Sequence, residues 1–323
     1  MRKSEYELLA SQWDAKGLAI DEKAIDDSVL YEVDPEKAVA YITFNVPDKL
    51  NAIPVAAFER VGDLVREAEV DDDVKTIVFR GNGEAFGTGA DAAELGYYIG
   101  YGKNKKGEKA GRPAQRQRIF PDRNLLSESL ANKVTNCLKA TICQVQGYCY
   151  GGHMKIALGA DIIVATPDAQ FTHPAFRYLG SAPQDMYLWI ENLGLKKMKE
   201  LMLTMRPLSG EEGEKIGFVN EVVPRERLAE AVDEYVTAIS FMPLDGIVVG
   251  KSMMRLTMEA RGKGVGEVGN WIGHAWSTNL TLREGEYNFV KERRDKGLAK
   301  ALRDRDMAVA PKFRMGGKLK PKP

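Results

Sequence analysis

Two stretches of this sequence each end an apolar run on glycines and pass at once into a helix-compatible segment, and the pair limits the folds open to the chain. The first runs Val74-Lys-Thr-Ile-Val-Phe-Arg-Gly81-Asn-Gly83-Glu-Ala-Phe86-Gly87-Thr88-Gly89-Ala90-Asp91. The second runs Ile142-Cys-Gln-Val145-Gln146-Gly-Tyr-Cys-Tyr-Gly151-Gly152-His153-Met154-Lys155. Each reads as a buried strand, a tight turn and a helix start, because β-formers precede glycines that free the backbone to turn. N–H groups at a helix start have no intrahelical partner and lie at the positive end of the helix dipole. One N–H from each turn would suffice to grip a single carbonyl oxygen as it gains charge.

The flanking segments alternate β and α. Val29–Val33, an Asp34-Pro35 turn and Ala38–Phe44 read as strand, turn, strand, and Ile53–Glu69 has the apolar spacing of an amphipathic helix before the strand Val74–Phe79. That order predicts an α/β layer fold. Helical patterns fill Leu195–Glu214, with Ser209 and Glu212 at capping-box spacing, then Arg225–Met242 and Asp245–Ala260. Glycines 262, 264, 266 and 269 read as a hinge before Trp271–Asp304.

With 323 residues, 44 % of them hydrophobic and 28 % charged, the chain is long enough for a large core. Its formal net charge of zero gives no reason to expect nucleic acid or an acidic membrane as partner. The Met1-Arg-Lys-Ser-Glu-Tyr-Glu start lacks an apolar signal core, so a cytoplasmic location is the expectation. Cys137, Cys143 and Cys149 read as reduced core thiols, and no two histidines share metal-ligand spacing with a carboxylate. The expected division is a helical extension at 1–28, a core at 29–242 with a basic insertion at about 97–121, a helical layer at 243–304 and a flexible tail at 305–323.

In their order and spacing the two glycine turns resemble the crotonase (enoyl-CoA hydratase/isomerase) superfamily. The resemblance runs from about Val29 to Asp304 and takes in Asp48-Lys49-Leu50-Asn51-Ala52, Ala169-Gln-Phe171-Thr-His-Pro174 and Ile216-Gly217-Phe-Val-Asn220-Glu-Val-Val-Pro224. It implies an α/β fold, a crotonase-like ββα spiral core with a helical C-terminal layer, assembled as a homotrimer or hexamer. The implied substrate is an acyl-CoA, with coenzyme A as thioester carrier and no prosthetic group. Ala90 and Gly152 would supply the oxyanion hole, and Lys49, Asn51, Ala52 and Asp91 would face coenzyme A. Cations of the basic insertion offer further partners for its phosphates.

The sequence also departs from that family. Lys155 and Ala175 stand where the hydratases carry two proton-handling glutamates, and His153 replaces the third glycine of the run. Ordinary hydration of an enoyl-CoA is therefore not expected. Asp185 falls where ring-cleaving β-diketone hydrolases of the superfamily look to have an aspartate, and within a residue of the one in dienoyl-CoA isomerases. It is the leading acid/base candidate, with His153 and Lys155 beside it; the bland alternative is that Asp185 merely starts a helix and His153 merely fills space. The favoured reaction is hydrolytic C–C cleavage of a cyclic or 3-oxo acyl-CoA. The alternatives are an enoyl- or dienoyl-CoA isomerase, a hydratase with a non-standard acid/base, or a non-catalytic CoA-fold binding module. Tyr97, Tyr98, Tyr148, Tyr150 and Phe176 lean toward a cyclic or aromatic acyl group, though such residues serve equally as core.

Overall fold

The computed structural model describes residues 21–91, 130–179, 185–277 and 281–315. The basic insertion at about 97–121, with Tyr97 and Tyr98, lies outside the described residues. After helix α1 (Glu22–Ser28) the chain forms the antiparallel pair β1 (Val29–Asp34) and β2 (Val39–Phe44). Strand β2 then pairs in parallel with β4 (Thr76–Gly81), which is followed outward by β6 (Ala140–Val145), β8 (Ile162–Ala165) and β11 (Glu221–Val222). This sheet is covered on both sides. Helix α2 (Ala57–Val70) joins Val61, Leu64 and Val65 to Ile42, Phe44, Ile77, Phe79 and Cys143 on one face. Val39, Val78, Ile142 and Val164 meet Leu228, Val232 and Val236 on the other. Double burial explains why β4 and β6 read as near-continuous apolar runs rather than as alternating ones.

A second sheet, β10 (Leu208–Ser209), β9 (Gln170–Thr172) and β7 (Tyr148–Tyr150), stacks the next turn of the spiral, and β3 (Ala52–Ile53) pairs in parallel with β5 (Gly89–Ala90). Pairing of Ile53 with Ala90 is why α2 starts at Ala57 and not at Ile53 as the periodicity alone suggests. Pro54 then separates strand from helix. The other helices up to the C-terminal layer are α3 (Leu130–Asn136), α4 (Gly152–Gly159), α5 (Ala175–Leu179), α6 (Met186–Thr204), α7 (Gly210–Lys215) and α8 (Leu228–Ser240). The capping box is present: Glu212 N–H donates to Ser209 Oγ at 3.1 Å while the Glu212 carboxylate accepts Ser209 N–H.

The C-terminal layer holds α9 (Leu244–Ala260), α10 (Lys263–Ser277), α11 (Phe289–Lys296) and α12 (Leu298–Met307). Two expectations are corrected here. The glycines from 262 to 269 do not form a hinge: only Gly262 has a positive φ, of 97°, and α10 runs through the other three. Gly266 is there for close approach, since a Cβ on it would fall 2.6 Å from Tyr187 Cβ of α6. The tail is likewise ordered against the body as far as Met315, which is buried, and Tyr150 Oη donates to the Met315 carbonyl at 2.6 Å.

Candidate active site

The two glycine turns abut. Gly89 has φ 95° and Gly151 φ 60°, values that an L side chain rarely adopts, and a Cβ on Gly89 would lie 3.3 Å from Gly151 Cα and 3.5 Å from Gly152 N. Cross-bonds knit the turns: Gly87 N–H donates to Tyr148 O at 2.7 Å and Tyr150 N–H to Gly87 O at 2.8 Å. Gly152 is the first residue of α4, where an N–H has no intrahelical acceptor. On β5, Asp91 N–H is engaged with Ile53 O at 2.8 Å. Alternation along a strand turns the preceding Ala90 N–H to the opposite side, away from β3. The Gly89–Ala90 segment and Gly152 thus lie side by side.

Lys155 lies one helical turn beyond Gly152, and so on the same face of α4. Its ammonium stands 3.7 Å from Asp185 Oδ2, with side-chain exposures of 11 % and 1 %. Asp185 precedes α6 in a left-handed conformation, φ 57° and ψ 27°, which a short polar residue tolerates better than most. Asn270 of α10 holds it at two points. Asn270 Oδ1 accepts the Asp185 backbone N–H, and Asn270 Nδ2 donates to Asp185 Oδ1 at 2.8 Å. Gly266, one turn earlier on α10, brings this face close enough to reach. Asn270 has no local sequence signature; the bare Gly266 four residues before it is the signal that points there.

His153 is packed among phenyl rings and not against the Lys155–Asp185 pair, where its assignment as a catalytic group expected it. The imidazole is fully buried, edge-on to the rings of Phe44, Phe86 and Phe58 at centroid separations of 4.2, 5.7 and 5.4 Å. Gly89 N–H donates to its Nδ1 at 3.0 Å, so the ring is the neutral tautomer with its proton on Nε2. Burial pushes the imidazole down to about 3, and it stays uncharged at neutral pH. A buried N–H deprived of its acceptor costs about 1–3 kcal/mol, so the contact also stabilises the turn. His173 is a separate case: partly exposed, it accepts Ala175 N–H on Nδ1 at 3.1 Å. Burial first, then the Lys155 ammonium and His274, hold it toward the neutral form.

The residues expected to face coenzyme A divide. Lys49 is exposed and ion-paired with Asp91 at 3.0 Å, and Ala52 is paired with Gly89. Asn51 is corrected: it is fully buried, its Oδ1 accepts Val46 N–H at 2.8 Å, and its Nδ2 donates to Asn82 O at 2.9 Å and Ala85 O at 2.8 Å. It staples two loops together. Of the aromatic residues, Tyr148 and Tyr150 pack with Ala85 and Met315 and Phe176 is buried against Trp189, the core role that the sequence equally allowed.

The family model described as enoyl-CoA hydratase/isomerase matches residues 34–297. A Dictyostelium discoideum protein named as a probable mitochondrial enoyl-CoA hydratase is 32 % identical over 195 residues, covering 59 % of this chain and 62 % of that protein. The Escherichia coli 1,2-epoxyphenylacetyl-CoA isomerase is 27 % identical over 218 residues, covering 66 % of this chain and 76 % of that protein. The crystal structure of an enoyl-CoA hydratase from Mycobacterium smegmatis, 24 % identical, superposes with a TM-score of 0.76 over 93 % of this chain and 100 % of that one, which shows a shared fold. With a family match that spans most of its length, the chain belongs to the enoyl-CoA hydratase/isomerase family, within the crotonase superfamily.

Proposed function

We propose that this chain acts on an acyl-CoA thioester through an enolate, held at its oxygen by the N–H groups of Ala90 and Gly152. One observation carries the reading: the two glycine turns abut, and one helical turn beyond Gly152 Lys155 is paired with the buried carboxylate of Asp185. A carboxylate there removes a proton from a carbon near the carbonyl, charge gathers on the oxygen, and preorganised N–H donors meet it where it develops. The Lys155 ammonium balances the Asp185 charge in the buried site. Lys49, exposed at the loop before Ala52, is positioned to meet phosphate groups of coenzyme A.

Between the two enolate reactions, double-bond isomerisation fits this geometry better than hydrolytic C–C cleavage. Cleavage needs water to be activated as well as a proton to be returned, and His153, the second group expected to assist, is buried among phenyl rings. Isomerisation asks only that Asp185 carry one proton between carbons. Turnover in oxygen-18 water separates them: isomerisation leaves the product oxygen unlabelled, whereas label in a new carboxylate would establish cleavage and overturn this preference.

Crotonyl-CoA hydration is expected to be slow or absent. Lys155 and Ala175 replace the paired glutamates, and Asp185 is one carboxylate where water addition by the family route uses two. Loss of the conjugated-enoyl absorbance at a rate on the order of 10² per second would show that another pair does this work.

A further inference from the structure

We propose that His153 is a positioning residue for the oxyanion slot, acting through the backbone of Gly89. The role rests on the acyl-CoA reading above. The peptide that carries the Ala90 N–H lies between two others that are each clamped. The Gly89 N–H before it is held by His153 Nδ1 at 3.0 Å, and the Asp91 N–H after it is held by Ile53 O at 2.8 Å. With both neighbours fixed, the intervening peptide has little freedom to rotate, and the Ala90 N–H is aimed before any ligand arrives. Preorganisation of this kind is what makes an oxyanion donor effective.

The surroundings are built for an imidazole. A Cβ on Gly87 would fall 2.2 Å from the ring of His153, so the ring occupies the space a side chain at 87 would need. Phe44, Phe58 and Phe86 enclose the rest, and Phe58 also lies against Gly152, where a Cβ would come within 2.3 Å of its ring. The His153 side chain therefore touches the supports of both turns. Its Nε2 is buried with no hydrogen-bond partner among the described residues, so its one polar contact here is the one that holds Gly89. A histidine kept only to fill space would not need Nδ1 directed at a buried N–H.

The test uses the full chain, two variants and two readouts. His153→Leu keeps the bulk and removes the acceptor, whereas His153→Asn places Oδ1 close to where Nδ1 stands. Crotonyl-CoA or benzoyl-CoA, labelled with carbon-13 at the thioester carbonyl, is bound and its infrared carbonyl band recorded. Hydrogen exchange of the segment holding Gly89 is followed without ligand. The wild type should shift the bound band to lower frequency. His153→Leu should lose most of that shift and the Gly89 protection and still bind the ligand, because most of the contact with a coenzyme A thioester lies outside the turn. His153→Asn should keep both. A full shift in folded His153→Leu, or a lost shift in folded His153→Asn, overturns the role. If His153→Leu does not fold, His153→Asn still decides. A wild type that binds the ligand with no shift would instead overturn the oxyanion reading, and the role with it.

Discussion

Asp185→Asn is expected to lower turnover of the acyl-CoA substrate by about 10²-fold or more while leaving its binding nearly unchanged, because a positioned acid/base group typically contributes that much. The substitution is close to isosteric. The Asp185 backbone N–H still donates to Asn270 Oδ1, and the new amide oxygen still accepts Asn270 Nδ2 in place of Oδ1. What disappears is the carboxylate's capacity to take and return a proton. The Lys155 ammonium loses the carboxylate at 3.7 Å, but its side chain keeps 11 % exposure, so water remains within its reach. Stability should therefore fall less than the 3–5 kcal/mol typical when a fully buried pair is broken. Steady-state kinetics separate the effects: a reduced kcat at constant KM places Asp185 in the chemical step, whereas full activity would move the proton transfer to another group, with Lys155 first to be examined.

The spiral core was legible because its physics is local. Strands buried on both faces read as near-continuous apolar runs, as in Ile77–Phe79 and, with Gln144 the one polar break, Ile142–Val145, and a strand that turns sharply into a helix needs glycine where φ is positive, as at Gly89 and Gly151. The Lys155–Asp185 pairing was within reach of the same reasoning, since α4 puts Lys155 one turn from Gly152. Other features depended on contacts the sequence does not encode locally. Glycine serves bending and close approach alike, and only the position of Tyr187 decides that Gly266 does the second. Asn51 in a loop reads as a ligand contact or as a staple with equal ease, until Val46, Asn82 and Ala85 are seen around it. His153 neighbours the turn in sequence, yet its direction is set by the room that Gly87 leaves and by three phenyl rings distant in the chain.

That same burial makes His153 a source of acid lability, and the sign follows from where its proton goes. In the unfolded chain the imidazole titrates near 6.5, whereas in the fold burial holds it down to about 3. Above pH 6.5 both states are neutral at this site, and the native contact with Gly89 is intact. As the pH falls through the window from about 6.5 to 3, the unfolded chain gains a proton that the folded chain refuses, so stability drops by about 1.4 kcal/mol per pH unit. Between pH 7 and pH 4 the loss assigned to His153 is about 3 kcal/mol, a large part of the net stability of an ordinary domain. Carboxylates and His173 add acid lability of their own, but they are common to the wild type and His153→Asn and cancel in the difference. Urea unfolding at a series of pH values should therefore show the wild type losing stability more steeply by about one proton below pH 6. Parallel curves would mean that the native imidazole accepts the proton, which the acceptor role at Gly89 does not allow: a protonated ring would turn its Nδ1–H against the Gly89 N–H, donor facing donor, in a pocket of phenyl rings.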